Sequence, residues 1–172
     1  MRSVCVFLST GFGSGLFLSR AAERFRKWGL PAKWTGSGLA GTLIGAGAAA
    51  LGCPGGRPGV LLTLGITIAA VPVTGAAEEV LGTKDDPAIN LDETVGYLWA
   101  LAGLPLAGLG CWERVGVLAA AFALFRIFDV FKLPAPGVQR LQGGLGIMAD
   151  DVLAGLLANG CLQAVLRTAL KI

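Results

Sequence analysis

The chain has 172 residues, of which 54% are apolar and 15% are charged, against about 25% charged residues in average soluble domains. With a mean hydropathy of +0.70 and 27 glycines, this composition is typical of a helical membrane protein. The net charge of +3 is too small for a polybasic nucleic-acid-binding protein, so we expect no nucleic-acid partner. The absence of histidine excludes mechanisms that need an imidazole base or a histidine-bound metal.

Long runs without a charged residue mark the candidate membrane segments, because a hydrocarbon core of about 30 Å needs about 20 residues of helix. The runs cover residues 3–19, 34–56, 58–77, 94–112, 115–125 and 152–166, and the fifth extends to Phe128 if Arg126 faces a polar cavity. The pattern predicts an all-α fold, a polytopic helical membrane bundle with about four to five apolar helices and with acidic motif loops on one face. We expect residues 1–172 to form a single membrane domain.

The N-terminal part of the chain leaves two questions open. Residues 3–19 fit either a membrane segment or the apolar part of a secretory signal, because Ser19-Arg20-Ala21 follows them. Residues 20–33 alternate aromatic and basic side chains, as in an interfacial helix on anionic lipid or an ordinary solvated segment.

The distribution of Lys and Arg predicts the orientation in the membrane. Tight turns at 53–59 and 110–114 fall on one face, and the polar connections 78–93 and 126–151 fall on the other. With segment 20–33 added, the second face carries nine basic residues against two on the first, or four if the last helix crosses the membrane. The positive-inside rule therefore predicts that the polar connections are cytoplasmic.

Most of the acidic residues cluster on this predicted cytoplasmic face. Of the 11 in the chain, eight are Glu79, Asp85, Asp86, Asp92, Glu93, Asp129, Asp150 and Asp151. Asp86 before Pro87, and the pairs 92–93 and 150–151 before apolar runs, also fit helix caps. As metal ligands, carboxylates without histidine or cysteine suit Mg²⁺ better than zinc.

Basic residues flank Asp129. Arg126, Asp129 and Lys132 recur at a spacing of three, which places a cation, an anion and a cation on one helix face. A salt-bridge ladder explains this spacing equally well. Carboxylates for a metal, combined with Arg and Lys for an anion at one membrane interface, indicate phosphoryl chemistry.

Three stretches are similar to the motifs of one known family. Residues 85–96 (DDPAINLDETVG) match its aspartate, apolar spacer and Asp-Glu-x-x-Gly motif. Residues 125–132 (FRIFDVFK) match Phe-Arg-x-Phe-Asp-x-x-Lys, and residues 143–155 (GGLGIMADDVLAG) match a Gly-rich Met-x-Asp-Asp-x-x-Ala-Gly motif. Residues 10–16 and 35–39 resemble two halves of its glycine-rich N-terminal region. The chain thus resembles the phosphatidylglycerophosphatase A family.

The resemblance implies a Mg²⁺-dependent phosphatase that converts phosphatidylglycerophosphate to phosphatidylglycerol in bacterial phospholipid synthesis. It implies a multi-pass protein of the inner (cytoplasmic) membrane with a cytoplasmic active face. The expected metal ligands are Asp85, Asp92, Glu93, Asp129, Asp150 and Asp151, of which the last five are also expected to be catalytic. The expected phosphate-binding residues are Thr35, Ser37, Arg126 and Lys132.

Two other functions also fit parts of the sequence. Acidic residues at helix ends would bind a translocated cation in a small ion or solute transport subunit. A non-catalytic assembly subunit would explain the glycines but not the acidic windows. Within the enzyme hypothesis, attack by water and an aspartyl-phosphate route both remain open.

Overall fold

A computed structural model describes residues 2–25, 36–52, 55–131 and 141–170, and within these ranges all regular structure is helical. This confirms the predicted all-α fold class. The helices are α1 (Arg2–Ser9), α2 (Ser14–Phe25), α3 (Ser37–Gly52), α4 (Gly56–Leu81), α5 (Leu91–Leu101), α6 (Cys111–Phe131) and α7 (Gly143–Leu170), with a 3₁₀ turn at Leu106–Gly108.

Two helices are long and apolar enough to cross a membrane: α4, and α7 over Gly143–Thr168. The pair α1 and α2 passes the same test as one broken span, because the two helices are bent by 71° at a short break. The described residues therefore contain two or three candidate spans, whereas the charge-free runs predicted four to five apolar helices.

The run 94–112 does not form the continuous helix that its length predicted. Helix α5 ends at Leu101, Gly103 adopts a φ of +80°, and Pro105 has no N–H to continue a helix. At 11 residues, α5 is too short to cross a membrane. The run 34–56 likewise gives a helix of only 16 residues. In both cases the charge-free run is longer than the helix that it contains.

Helix α5 lies at the centre of the fold and packs against α7, α3, α4 and α6. Seven of its 11 residues are buried, among them Tyr97 and Leu98. Two aromatic residues anchor it to its neighbours. The Tyr97 hydroxyl donates to the Leu118 carbonyl of α6 at 3.0 Å, and Trp99 Nε1 donates to Thr67 Oγ1 of α4 at 2.9 Å.

Side chains from other helices satisfy the C-terminal carbonyls of the two short helices. Asn159 of α7 donates through Nδ2 to the carbonyl oxygens of Trp99, Ala100 and Ala102, at 3.2, 3.0 and 2.7 Å. Arg114 of α6 donates to the Ala49 carbonyl near the end of α3 at 3.1 Å. These bonds matter because a helix end buried in an apolar environment has no water to accept from.

Candidate active site

Three carboxylates meet where the start of α5 packs against α7. Asp92 and Glu93 lie in the first turn of α5, and Asp151 lies about two turns into α7. One oxygen of each lies within 4.8 Å of the others, and Asp151 is only 6% exposed. Carboxylates from residues 85–93 and from the pair 150–151 therefore meet in one cluster.

Close contact between α5 and α7 brings these side chains together. A Cβ at Gly96 would lie 2.7 Å from the Asp151 carbonyl oxygen and 2.5 Å from a ring carbon of Phe125. A Cβ at Gly155 would overlap the Gly96 carbonyl oxygen. Only glycine allows the two backbones to approach this closely. The glycines of the two motifs thus place Glu93 beside Asp151.

Some carboxylate oxygens of the cluster have no hydrogen-bond donor among the described residues. Within the described ranges, the buried atoms Asp92 Oδ1 and Glu93 Oε2 accept no hydrogen bond. Burial, and next the charge of Asp151, raises the pKa of Glu93 to about 8. Burial, and next the charge of Glu93, raises the pKa of Asp92 well above its usual value. A divalent cation would relieve both effects, so these oxygens fit the donor set of a Mg²⁺ site.

A cation and the start of α3 lie beside the cluster. Arg126 of α6 forms an ion pair with Asp129, with 2.6 Å between Nη1 and Oδ2, and both side chains are partly exposed. A Cβ at Gly38, the second residue of α3, would lie 3.0 Å from Arg126 Nη1 and closer still to Glu93 Oε1. The Arg126 guanidinium and the Glu93 carboxylate therefore both pack against the first turn of α3.

Ser37 occupies the first position of α3 and is buried, with 1% exposure. Its carbonyl oxygen accepts a hydrogen bond from Asn90 Nδ2 at 3.3 Å. Asn90 immediately precedes α5 and was absent from the predicted site. The signal in the sequence is a polar residue between Ile89 and Leu91, inside a spacer that is otherwise apolar.

The other predicted site residues differ in how close they lie to the cluster. Asp129 and Asp85 raise the pKa values of Glu93 and Asp92, respectively, through their charges, although Asp85 is exposed in the connection before α5. Asp150 is partly exposed and is not among the three clustered carboxylates. Adjacent residues on a helix point about 100° apart, so only Asp151 faces Glu93. Thr35 and Lys132 lie outside the described residues.

The helix-cap alternatives have different outcomes. Asp150 and Asp151 lie inside α7, which begins at Gly143, so they do not cap this helix. Asp92 and Glu93 do lie in the first turn of α5, where a negative charge is favourable. Asp86 Oδ1 accepts the N–H of Ala88 at 2.9 Å, which is a local turn rather than a helix start. Most site carboxylates stand on helices, whereas the sequence placed the acidic motifs in loops.

Comparison with known proteins identifies relatives over nearly the whole chain. The model of the phosphatidylglycerophosphatase A family matches residues 7–166. A protein of Haemophilus influenzae named phosphatidylglycerophosphatase A is 34% identical over 154 residues, covering 88% of this chain and 82% of that protein. An Escherichia coli protein of the same name is 34% identical over 108 residues, covering 62% of this chain and 59% of that protein.

A third relative carries a different name. A protein of Bacteroides thetaiotaomicron, provisionally named phosphatidylinositol-3-phosphatase, is 40% identical over 74 residues, covering 42% of this chain and 44% of that protein. No solved structure matches the chain. All three relatives are named as phosphatases of phosphorylated lipids.

Proposed function

We propose, from the premise that the chain belongs to the phosphatidylglycerophosphatase A family, that it is the phosphatase that hydrolyses phosphatidylglycerophosphate to phosphatidylglycerol and phosphate. The observation that carries the proposal is the cluster of Asp92, Glu93 and Asp151 beside Arg126. Carboxylates that fit a divalent cation, next to a guanidinium that fits a phosphate, are the two parts that phosphoryl transfer requires.

In this proposal Asp92, Glu93 and Asp151 hold Mg²⁺, and Asp129, Asp150 and Asp85 lie around them as further carboxylates. Bound Mg²⁺ would neutralise charge on the phosphate oxygens and acidify a water molecule. Arg126 would bind the phosphate through its planar fork, and Asp129 would orient that fork. Ser37, with Thr35 and Lys132, would complete the phosphate contacts.

The reaction breaks the bond between phosphorus and the ester oxygen of the lipid headgroup. Water provides the oxygen that joins phosphorus and the proton that ends on the lipid hydroxyl. Since the chain has no histidine, we expect a carboxylate of the site to carry that proton. Burial and the charge of Asp151 raise the pKa of Glu93 to about 8 without a cation, whereas a bound Mg²⁺ would favour its ionised form.

We also propose that residues 1–172 form one multi-pass domain of the bacterial inner membrane, with the active face in the cytoplasm. The nine-to-four distribution of basic residues supports this orientation. A site at the ends of α5 and α6 would meet a lipid headgroup at the membrane surface while the acyl chains remain in the bilayer.

Phosphate release by the purified protein tests the proposal. We expect release from short-chain phosphatidylglycerophosphate with Mg²⁺, loss of release after chelation, and recovery when Mg²⁺ is restored. Phosphatidylinositol 3-phosphate in a parallel assay separates the two substrates named among the relatives. Release from neither lipid would contradict the proposal and favour the transport alternative, because a transport subunit would bind a cation without hydrolysing an ester.

A further inference from the structure

Asn90 is a fully buried polar residue immediately before α5. Its Nδ2 donates hydrogen bonds to the Ser37 carbonyl oxygen and to Ser14 Oγ, both at 3.3 Å. Its backbone N–H donates to the Ser9 carbonyl oxygen at 2.9 Å. One residue therefore joins the end of α1, the start of α2 and the start of α3 to the start of α5.

The other half of the Asn90 amide is unsatisfied. Among the described residues, no donor reaches the buried Oδ1 atom. The backbone at Gly11 covers it, since a Cβ there would lie 2.6 Å from Oδ1. Burying an amide oxygen without a donor destabilises the folded state, whereas an apolar side chain of similar size would not carry this cost.

The contact with Ser37 determines where the first turn of α3 lies. The next residue, Gly38, packs against Glu93 Oε1 and lies close to Arg126 Nη1. The position of this turn therefore defines the space between the carboxylate cluster and the guanidinium. A second tie, from Thr94 Oγ1 to the Gly41 carbonyl at 2.8 Å, holds α3 to α5 one turn further along.

We propose that Asn90 is a positioning residue, which holds the first turn of α3 at the distance from Glu93 and Arg126 that a bound phosphate requires. It does this although its buried oxygen lowers the stability of the fold. The inference rests on the proposed function only for the source of the phosphate. Binding of inorganic phosphate tests the placement without any turnover.

The test compares Asn90→Leu with Asn159→Leu. The second is a matched control, because Asn159 is a buried asparagine of α7 that binds the opposite, C-terminal end of α5. For each purified variant we would measure the Tm, the Mn²⁺ affinity, the binding of inorganic phosphate with Mn²⁺ present, and phosphate release from the lipid. Asn90→Leu removes the unsatisfied Oδ1 but also the Nδ2 donor to the Ser37 carbonyl and the Ser14 hydroxyl, so its Tm should change little. It should keep the Mn²⁺ affinity and weaken phosphate binding and kcat by about tenfold or more. Asn159→Leu should lower the Tm and leave phosphate binding per folded molecule unchanged.

Asn90→Ala serves as a second variant if the leucine does not fit, and it should show the same loss of phosphate binding. Phosphate binding at the wild-type level in a folded Asn90 variant would overturn the inference. Losses that only follow a lowered Tm, or a wild type that binds no phosphate, would overturn it as well. A wild type that binds phosphate but releases none from the lipid, with Asn90→Leu impaired in binding, would contradict the proposed function while supporting the role of Asn90.

Discussion

The two ends of α5 differ in whether the buried polar atoms there have hydrogen-bond partners. At the C-terminal end, one asparagine, Asn159, satisfies three backbone carbonyls, and its own Oδ1 accepts from Gln163 Nε2 at 2.7 Å. At the N-terminal end, buried oxygens of Asn90, Asp92 and Glu93 have no donor among the described residues. The backbone carbonyls at the C-terminal end are satisfied, whereas the N-terminal end keeps oxygens without a donor where, in the proposed function, a cation and a phosphate would bind.

Two arginines repeat the contrast on α6. Arg114, near the start of the helix, binds a backbone carbonyl at the end of α3. Arg126, three turns further along, binds the carboxylate of Asp129 and lies beside Glu93. The first contact completes a helix end, and in the proposed function the second would orient a guanidinium toward the phosphate.

The largest effect should come from neutralising a clustered carboxylate. We expect Asp151→Asn and Glu93→Gln to reduce phosphate release by about 100-fold or more, because each removes an anionic ligand aimed at the reacting phosphate. The Tm should stay unchanged or rise, since less buried charge remains. Glu113→Gln is the matched control, because Glu113 also lies in the first turn of a helix. That turn is at the end of α6 away from Arg126, so the variant should retain activity.

The Tm of each preparation, measured beside its activity, makes this comparison decisive. Variants that melt early and lose activity in proportion would assign the carboxylates a structural role. Near-wild-type release from Glu93→Gln and Asp151→Asn would contradict the proposed site even if the family activity is found.

The arginine pair should give a smaller but still clear difference. Arg126→Lys keeps the charge and loses the planar fork, so we expect about a tenfold fall in phosphate release with little change in Tm. Arg114→Lys should keep activity, because an ammonium group can also donate to the Ala49 carbonyl. Equal losses of phosphate release from both substitutions would contradict the different roles given to Arg114 and Arg126.

The carboxylates at the start of α5 should also make the stability of the metal-free protein depend on pH. Burial and the charge of Asp151 raise the pKa of Glu93 from 4.5 to about 8, so the unfolded state ionises first as the pH rises. The free energy of unfolding should therefore fall from about pH 4.5 to about pH 8 and then level off. Glu93→Gln should make this fall shallower in thermal melts, although Asp92, whose pKa burial also raises, would keep part of it. A variant with the wild-type profile would argue against the raised pKa of Glu93.

Cysteine substitutions that test the orientation in the membrane should have the smallest effect on activity. Native Cys111 is exposed at the start of α6, and Lys84 is exposed in the connection before α5. In a variant without the other cysteines, an impermeant maleimide should label Cys111 from outside sealed cells and label a cysteine replacing Lys84 only after lysis. Labelling of both from one side would contradict the predicted orientation.

The sequence predicted the helical class and the long helix at 58–77, which the structure extends to Gly56–Leu81. It did not predict where the central helix ends. A charge-free run shows that a segment can be buried, but the break after Leu101 depends on Gly103, Pro105 and the capping by Asn159 from α7. That last contact joins residues 57 positions apart and has no local pattern.

The acidic motifs predicted six candidate ligands, of which the structure brings Asp92, Glu93 and Asp151 within 4.8 Å of one another. Spacing alone treats Asp150 and Asp151 alike, and only the packing of Gly155 against Gly96 shows which of them faces Glu93. Asn90 is harder to find from the sequence, because its partners Ser37 and Ser14 lie 53 and 76 residues away. Local rules place residues on elements, and the tertiary contacts between elements then decide their roles.

Binding of Mn²⁺ to the purified protein, followed by its electron paramagnetic resonance signal, tests the central claim most directly. Mn²⁺ occupies carboxylate sites suited to Mg²⁺ and needs no lipid substrate for its detection. We predict that the wild type and Glu113→Gln bind Mn²⁺ equally, whereas Glu93→Gln and Asp151→Asn bind it at least about tenfold more weakly. Equal binding by all four proteins would show that the unsatisfied oxygens at the start of α5 are not a metal site.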